Sequence, residues 1–371
     1  MIVTFKDEFA KIIEEQARPT LAQTVELLKS ECDGQQVVLF GAGEMASVVY
    51  KMYSQAGLRI SCVCDNYKSG IHHGTGLPII SSSELKEKHK RSPIMIATWR
   101  FEREIADGLR QWGFSEKQIY HLPALKRIST EDFLHAYFEG YSWVYDMLED
   151  ERSKEIVSAR ARLYIKGQPL APNSHCDMYY EEGYISLNQK EVFVDGGAFT
   201  GGSAEEFAAK AGAYSHIYSF EPDAFSCEQA RRRLCNYPNV DVIQKGLFSE
   251  ESELTFYRNT TKPDGSSFMY GAISDVPQSI QVTSIDSFFA GRLDGELPTF
   301  IKLDVEGAEK AALLGARDVI GRVKPKLAVC VYHKPQDIYE LPQTISLIRG
   351  DYRFALRQHE YCCNETILYA V

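Results

Sequence analysis

Apolar residues recur at helical spacing through residues 4–31, at Phe5, Phe9, Ile12, Ile13, Leu21, Val25 and Leu28, with Pro19 breaking or kinking the run. The period then changes. Residues 36–53, QVVLFGAGEMASVVYKMY, set a short β-branched run against glycines and then an amphipathic stretch, which predicts strand, tight turn and helix. Further strands are predicted at 58–65, 77–80, 93–98 and 117–122, with a helix at 101–113 between the last two. Strands alternating with helices imply a small parallel sheet. Residues 129–165 turn helical without strands, opening on Ser129 as N-cap. Their aromatics (Phe133, Tyr137, Phe138, Tyr141, Trp143, Tyr145) are expected to pack in a core or between domains, with sugar stacking as the alternative.

A second alternating pattern starts at residue 191. Strands are predicted at 191–195, 216–220, 239–244, 300–304, 326–331, 352–357 and 365–370, and helices at 203–211, 223–236, 307–316 and 336–348. The last two strands have no helix between them and should form an antiparallel hairpin. The expected organisation is an N-terminal helical segment (1–34), a small Rossmann-like α/β domain (35–125), a helical bridge (126–177) and a larger α/β domain (178–371).

The chain of 371 residues carries a net charge of −10, spread evenly, with no basic patch of the kind nucleic-acid binders use. Its nine cysteines form no CxxC pair, and Cys62/Cys64 and Cys362/Cys363 are too closely spaced for a zinc knuckle, so free thiols are expected. The opening MIVTFKDEFAKIIEEQ has acids where a secretory signal needs an apolar run, and no stretch reaches about 18 apolar residues. A cytoplasmic protein without a membrane span is expected.

The strongest motif is VFVDGGAFTGGSAEEFA, 192–208. A strand ends in Asp195, glycines follow at 196, 197, 201 and 202, and a helix begins. Such glycines let a ligand approach the backbone closely. An acid before the glycines would repel a pyrophosphate but suits a sulfonium or amino cation. Glu221 ends the next strand, where it can take a ribose diol. Together these favour an adenosyl ligand carrying positive charge, held by Asp195, Gly196, Gly197, Ala198, Gly201 and Glu221. Lys302, Asp304 and Glu306 cluster at the end of strand 300–304, and Asp304 borders the same ligand. Glu309 follows on the helix, where it either joins the chemistry or favours the helix N-terminus. His333 ends the next strand at the same sheet edge. Asp304, Glu306 and His333 are the candidate catalytic residues.

VDGGAFTGGS, SFEPD, FIKLDVEGAE and VYHKP, in this order, together with the ending ETILYAV, resemble the FkbM family of S-adenosylmethionine-dependent methyltransferases. Gly196 and Phe199 depart from the family's commoner VDVGANxG. The resemblance implies a class I methyltransferase fold, a Rossmann-like sheet of seven strands with the last antiparallel. It also implies O-methylation, often of a sugar hydroxyl in a glycan, glycolipid or secondary metabolite. Asp304 or His333 would accept the hydroxyl proton. A divalent metal held by Asp304 with Glu306 is an alternative means of lowering the hydroxyl pKa, and none is expected.

In the first half FGAGEMA, 40–46, gives GxGxxA, and Asp65 lies 24 residues after Gly41. By spacing this is a nicotinamide-type fingerprint. VVLFGAG, CVCDNYKSG, GLPII and PIMIAT also resemble the small domain of bacterial sugar acyltransferases, which implies a nucleotide-sugar held by Gly41, Gly43 and Asp65. His72 and His73 lie in the following loop, where exposure without function is expected. Three readings stand: an O-methyltransferase with a carbohydrate-type acceptor, an NAD-linked sugar oxidoreductase, and a non-catalytic nucleotide-sugar-binding module. A homo-oligomer is compatible with each.

Overall fold

The computed structural model describes residues 3–31, 34, 36–124, 127–259, 275–293, 296–361 and 364–371. The segment 261–272, expected from sequence to shape an acceptor pocket, and the pair Cys362/Cys363 lie outside the described residues.

In chain order the first elements are α1 (Phe5–Glu14), α2 (Leu21–Glu31), β1 (Val37–Phe40), α3 (Glu44–Gln55), β2 (Ile60–Cys64), β3 (Gly70–Ile71), β4 (Pro78–Ile80), α4 (Ser82–Lys88), β5 (Ile94–Ile96), α5 (Glu102–Gln111) and β6 (Ile119–Tyr120). The strands form one sheet in the order β3-β4-β2-β1-β5-β6, parallel except for the β3–β4 pair. β1 is buried at all four positions because both sheet faces are covered. One face packs Val37 and Leu39 against Ala46, Val49 and Tyr53 of α3. The other packs Val38 and Phe40 against Leu85 of α4 and Ala106 and Leu109 of α5. Helix α4, which the apolar pattern did not announce, is started by Ser81, whose hydroxyl accepts the Glu84 N–H at 3.2 Å.

Next come α6 (Thr130–Ala136), α7 (Phe138–Met147) and α8 (Glu151–Lys166). The aromatics of this stretch pack on one another and on the N-terminus. Phe5 lies 5.8 Å from Tyr141, and Phe9 stacks on Phe133 at 5.7 Å. Phe133, Tyr141 and Tyr145 are buried, so their role here is core packing.

The remaining strands are β7 (Val192–Gly196), β8 (His216–Phe220), β9 (Val240–Ile243), β10 (Gly246–Leu247), β11 (Ser252–Asn259), β12 (Asp275–Thr283), β13 (Phe300–Leu303), β14 (Lys326–Cys330), β15 (Phe354–Gln358) and β16 (Thr366–Ala370). Seven of them form a sheet in the order β15-β16-β14-β13-β7-β8-β9. β16 runs antiparallel to both β14 and β15, while the other neighbours are parallel. The seven predicted strands are these seven. The helices are α9 (Gly202–Ala211), α10 (Ala224–Leu234), α11 (Ile285–Phe288), α12 (Glu309–Leu314), α13 (Arg317–Val323) and α14 (Asp337–Ile348). The single helix expected at 307–316 stops at Leu314, and α13 follows. A Cβ on Gly315 would stand 2.1 Å from the Phe248 carbonyl oxygen, so only glycine fits where these segments cross. The small sheet β10-β12-β11 was not foreseen.

Contacts divide the chain into two compact units: Ala10–Glu131 with Ala159–Ala171, hereafter the N-terminal unit, and Met1–Phe9 with Asp132–Ser158 and Pro172–Val371, the C-terminal unit. Helices α1 and α8 thus contribute residues to both. Among the described residues, no helix is long and apolar enough to cross a membrane.

Candidate active site

The glycine-rich turn of the C-terminal unit leaves the carboxyl end of β7. Asp195 is fully buried there, paired in register with Lys302 of β13. Their charged atoms lie 3.0 Å apart, and the Ser203 hydroxyl donates to the other Asp195 oxygen at 2.7 Å. Lys302 is itself fully buried and also donates to the carbonyls of Gly196 (3.1 Å) and Gly197 (2.8 Å). Burial alone would lower its pKa, but Asp195 and Asp304 outweigh burial and raise it. Lys302 therefore stays charged and ties the turn to the sheet. From its place before the glycines, Asp195 is expected to offer a free charge to a cationic ligand. That charge is already matched.

Gly197 has φ +76°, and a Cβ there would stand 1.8 Å from the Asp304 carbonyl oxygen. Gly201, at φ +84°, caps the start of α9. The turn is stitched to β8: the N–H groups of Gly197 and Ala198 both donate to the Phe220 carbonyl at 3.0 Å. Glu221 follows and is buried. One of its carboxylate oxygens accepts the Phe199 N–H and the other the Asp223 N–H, each at 2.8 Å. Burial pushes the Glu221 carboxyl up to about 7 against these two hydrogen bonds. Phe199 has φ +47° and is partly exposed.

The second cluster lies at the ends of β13 and β14 and the start of β16. The Asp304 N–H donates to the Gly196 carbonyl at 3.0 Å, which joins the cluster to the glycine turn. The Asp304 carboxylate accepts from the Tyr179 hydroxyl (3.2 Å) and the Tyr332 hydroxyl (3.1 Å). Burial would raise its pKa, but Lys302 and His333 hold it below the usual carboxylate value. His333 sits among three acids. Its Nδ1 is 3.0 Å from Glu309, and its Nε2 is 3.4 Å from Glu306 and 3.7 Å from Asp304. Burial opposes its charge, yet these carboxylates raise its pKa well above the ordinary histidine value. Glu309 is buried and accepts the N–H groups of Val305 (2.9 Å) and Gly307 (3.3 Å). Glu306 stands at φ +54° with its carboxyl raised by burial. Asp304, Glu309 and His333 each bring one ligand atom within 4.8 Å of the others, the set among the described residues that could hold a metal ion.

Sequence reasoning named Asp304, Glu306 and His333, and the fold brings them together. It missed Tyr179, Tyr332 and Glu365, the residue just before β16, whose carboxyl burial pushes up to about 7. Tyr332 adjoins His333, so strand alternation was the signal available for it. Tyr179 comes from a loop that no periodicity locates.

In the N-terminal unit Gly41 (φ +114°) and Gly43 form the turn between β1 and α3. Asp65 reaches this turn, but three N–H groups occupy its carboxylate: Ala42 (2.8 Å), Tyr67 (2.8 Å) and Lys68 (3.0 Å). The Lys68 ammonium donates to the Ala42 carbonyl at 2.8 Å. Burial opposes the Asp65 charge, and these donors with Lys68 nonetheless lower its pKa. Glu44 is the first residue of α3 and puts negative charge where a phosphate would lie. His72 is buried rather than exposed; its Nε2 is 3.3 Å from the Gly43 carbonyl and its Nδ1 3.2 Å from the Thr75 hydroxyl. His73 is exposed.

Residues 195–354 match the family model described as the methyltransferase FkbM domain. Among solved structures, a methyltransferase FkbM from Methylobacillus flagellatus KT shares the fold with a TM-score of 0.68 and 22% identity, covering 95% of this chain and 94% of its own. Weaker matches include an rRNA methylase from Streptococcus thermophilus (TM-score 0.31, 14% identity, 50% of this chain and 87% of that one). Another is the fibrillarin of Aeropyrum pernix with natively bound S-adenosyl-L-methionine (TM-score 0.32, 12% identity, 50% and 67%). No curated protein matches the chain.

Proposed function

The chain carries a methyltransferase FkbM domain, and from that premise we propose that it is an S-adenosylmethionine-dependent O-methyltransferase whose acceptor is a carbohydrate-type hydroxyl. The observation that carries the reading is the Glu221 carboxylate at the glycine turn, buried with one backbone N–H on each oxygen and, among the described residues, no lysine or arginine bonded to it. Each oxygen retains a lone pair after its backbone bond, and two such oxygens fit the two hydroxyls of a ribose. Gly197 keeps the turn free of a side chain, so an adenosyl ligand can lie close to the backbone.

When bound, S-adenosylmethionine supplies a methyl group made electrophilic by positive sulfur. This chain's own residues do the rest. Asp195 and Lys302 neutralise each other beneath the turn and hold its carbonyls in place. The charge that suits a sulfonium comes instead from the acids at the ends of β13 and β16: Asp304, Glu306, Glu309 and Glu365 outnumber Lys302 and His333. Charged His333 has no lone pair for a proton, so its role is to donate to the acceptor oxygen or hold the acids in place. Both Asp304 oxygens are engaged by tyrosines, which suits it to orienting the acceptor. The sugar class rests on the family resemblance. The N-terminal unit we read as a scaffold, because Asp65 is spent on its own loop and Glu44 opposes phosphate.

Calorimetric titration with S-adenosylhomocysteine tests the reading, beside Glu221→Gln, Asp65→Asn and NAD as control ligand. Binding that falls at least about tenfold in Glu221→Gln and persists in Asp65→Asn supports it. Binding of NAD alone, lost in Asp65→Asn, would overturn it and move the site to the first half of the chain.

A further inference from the structure

Glu365 begins the approach to β16 and belongs to none of the hydrogen-bond networks described above. The Val331 N–H donates to the Thr366 carbonyl at 3.0 Å, and Cys330 pairs with Ile367. This register sets Glu365 beside Tyr332 at the sheet edge that carries Asp304 and His333. Glu365 closes the β15–β16 hairpin, its carbonyl accepting the His359 N–H at 2.9 Å, and two of its features bear on its role. Its backbone holds φ +58°, a conformation costly for a residue with a side chain. Its carboxylate Oε2 is buried and has no hydrogen-bond partner among the described residues. Buried polar atoms are nearly always paired, and an exception with strained backbone points to a group kept free for a ligand.

Resting on the methyltransferase reading, we propose that Glu365 is the base that takes the proton of the acceptor hydroxyl. Of the other acids, Asp304 accepts two tyrosine hydroxyls, one Glu309 oxygen takes two backbone N–H groups and faces His333, and one Glu306 oxygen faces His333. In the step, the acceptor O–H bond breaks and its proton bonds to Oε2. The oxygen's electron pair forms the new C–O bond, and the pair of the broken C–S bond stays on sulfur, leaving a neutral thioether. The groups that act on Glu365 electrostatically are Asp304 and Glu306, which disfavour its charge, and His333 and Lys302, which favour it. With burial as the largest influence, its carboxyl is pushed up to about 7. A base of that strength is ionised in half the molecules at neutral pH and still holds a proton well.

The test uses the full chain and needs no acceptor. Sinefungin bears an amine-carrying carbon where S-adenosylmethionine bears methylated sulfur, so its ammonium would sit against a base facing the methyl group. Wild type should prefer sinefungin to S-adenosylhomocysteine by about tenfold above pH 7, and Glu365→Gln should lose that preference while keeping its affinity for S-adenosylhomocysteine. The retained affinity also reports correct folding. Carbon-13 spectra of glutamate carboxyls should lose one resonance titrating near pH 7 in the variant. An unchanged ligand preference, or a spectrum that keeps every mid-range carboxyl, would overturn the assignment. If wild type binds neither ligand, the methyltransferase reading itself falls and the assignment with it.

Discussion

The two glycine turns share a plan and differ in charge. In each, a central strand ends at a glycine, and the acid after the neighbouring strand reaches back to accept an N–H of the turn: Asp65 from Ala42, Glu221 from Phe199. Each acid also accepts the N–H two residues after itself, from Tyr67 and Asp223. Under the first turn, Leu39 pairs with Met95. Under the second, at the matching position, Asp195 pairs with Lys302. Asp65 has a third donor and a lysine at hand, whereas Glu221 is buried and, among the described residues, has no lysine or arginine bonded to it. The backbone device is common to both, and it therefore says little about ligands. On the function proposed above, what separates the two turns is how the acid of each is satisfied.

The largest effect should come from breaking the ion pair under the second turn. Lys302→Met leaves Asp195 buried without compensation and should cost about 3–5 kcal/mol in denaturant unfolding, with much of the loss recovered in Asp195→Leu/Lys302→Met. Met95→Leu, at the matching place under the first turn, should cost about 1 kcal/mol. Next, Gly197→Ala meets the Asp304 carbonyl at positive φ and should cost about 2–4 kcal/mol and abolish S-adenosylhomocysteine binding. Gly43→Ala has open space around its Cβ among the described residues and should cost about 1 kcal/mol, the loss of glycine as N-cap of α3. A smaller effect appears with pH. Glu221 is raised in the folded chain, so its contribution to stability is full below about pH 4.5 and is lost as pH rises through about 7. Glu221→Gln should flatten that part of the stability profile. Asp65 is lowered, so its contribution is present above its unfolded pKa and fades as acid titrates the folded carboxyl. Asp65→Asn should flatten only the acidic end and cost about 1 kcal/mol at neutral pH, since the site is partly exposed.

Much of this contrast was legible in the sequence. Both turns, both acids and the seven strands of the larger sheet follow from period and glycine spacing, because buried parallel strands are written as continuous apolar runs. The hairpin of β11 and β12 was not legible. SELTFYRN mixes polar and apolar residues, and DVPQSIQVT carries a proline that argues against a strand away from an edge. The split between α12 and α13 was hidden because it depends on Phe248, which is 67 residues before Gly315 in the chain. In the site, Asp304, Glu306 and His333 could be named because each ends a recognisable strand. Their state could not. Whether a histidine is charged depends on three acids that converge only in the folded chain, and the matching of Asp195 by Lys302 depends on strand register.

The aromatic plug formed by Phe5 and Phe9 with Phe133 and Tyr141 ties helix α1 to residues synthesised more than a hundred positions later. The C-terminal unit therefore cannot close its core until the ribosome has passed the whole N-terminal unit, and the N-terminal unit itself waits for residues 159–171. Folding during synthesis is interleaved rather than sequential. An expression fragment cut cleanly between the halves would leave each without a piece of itself.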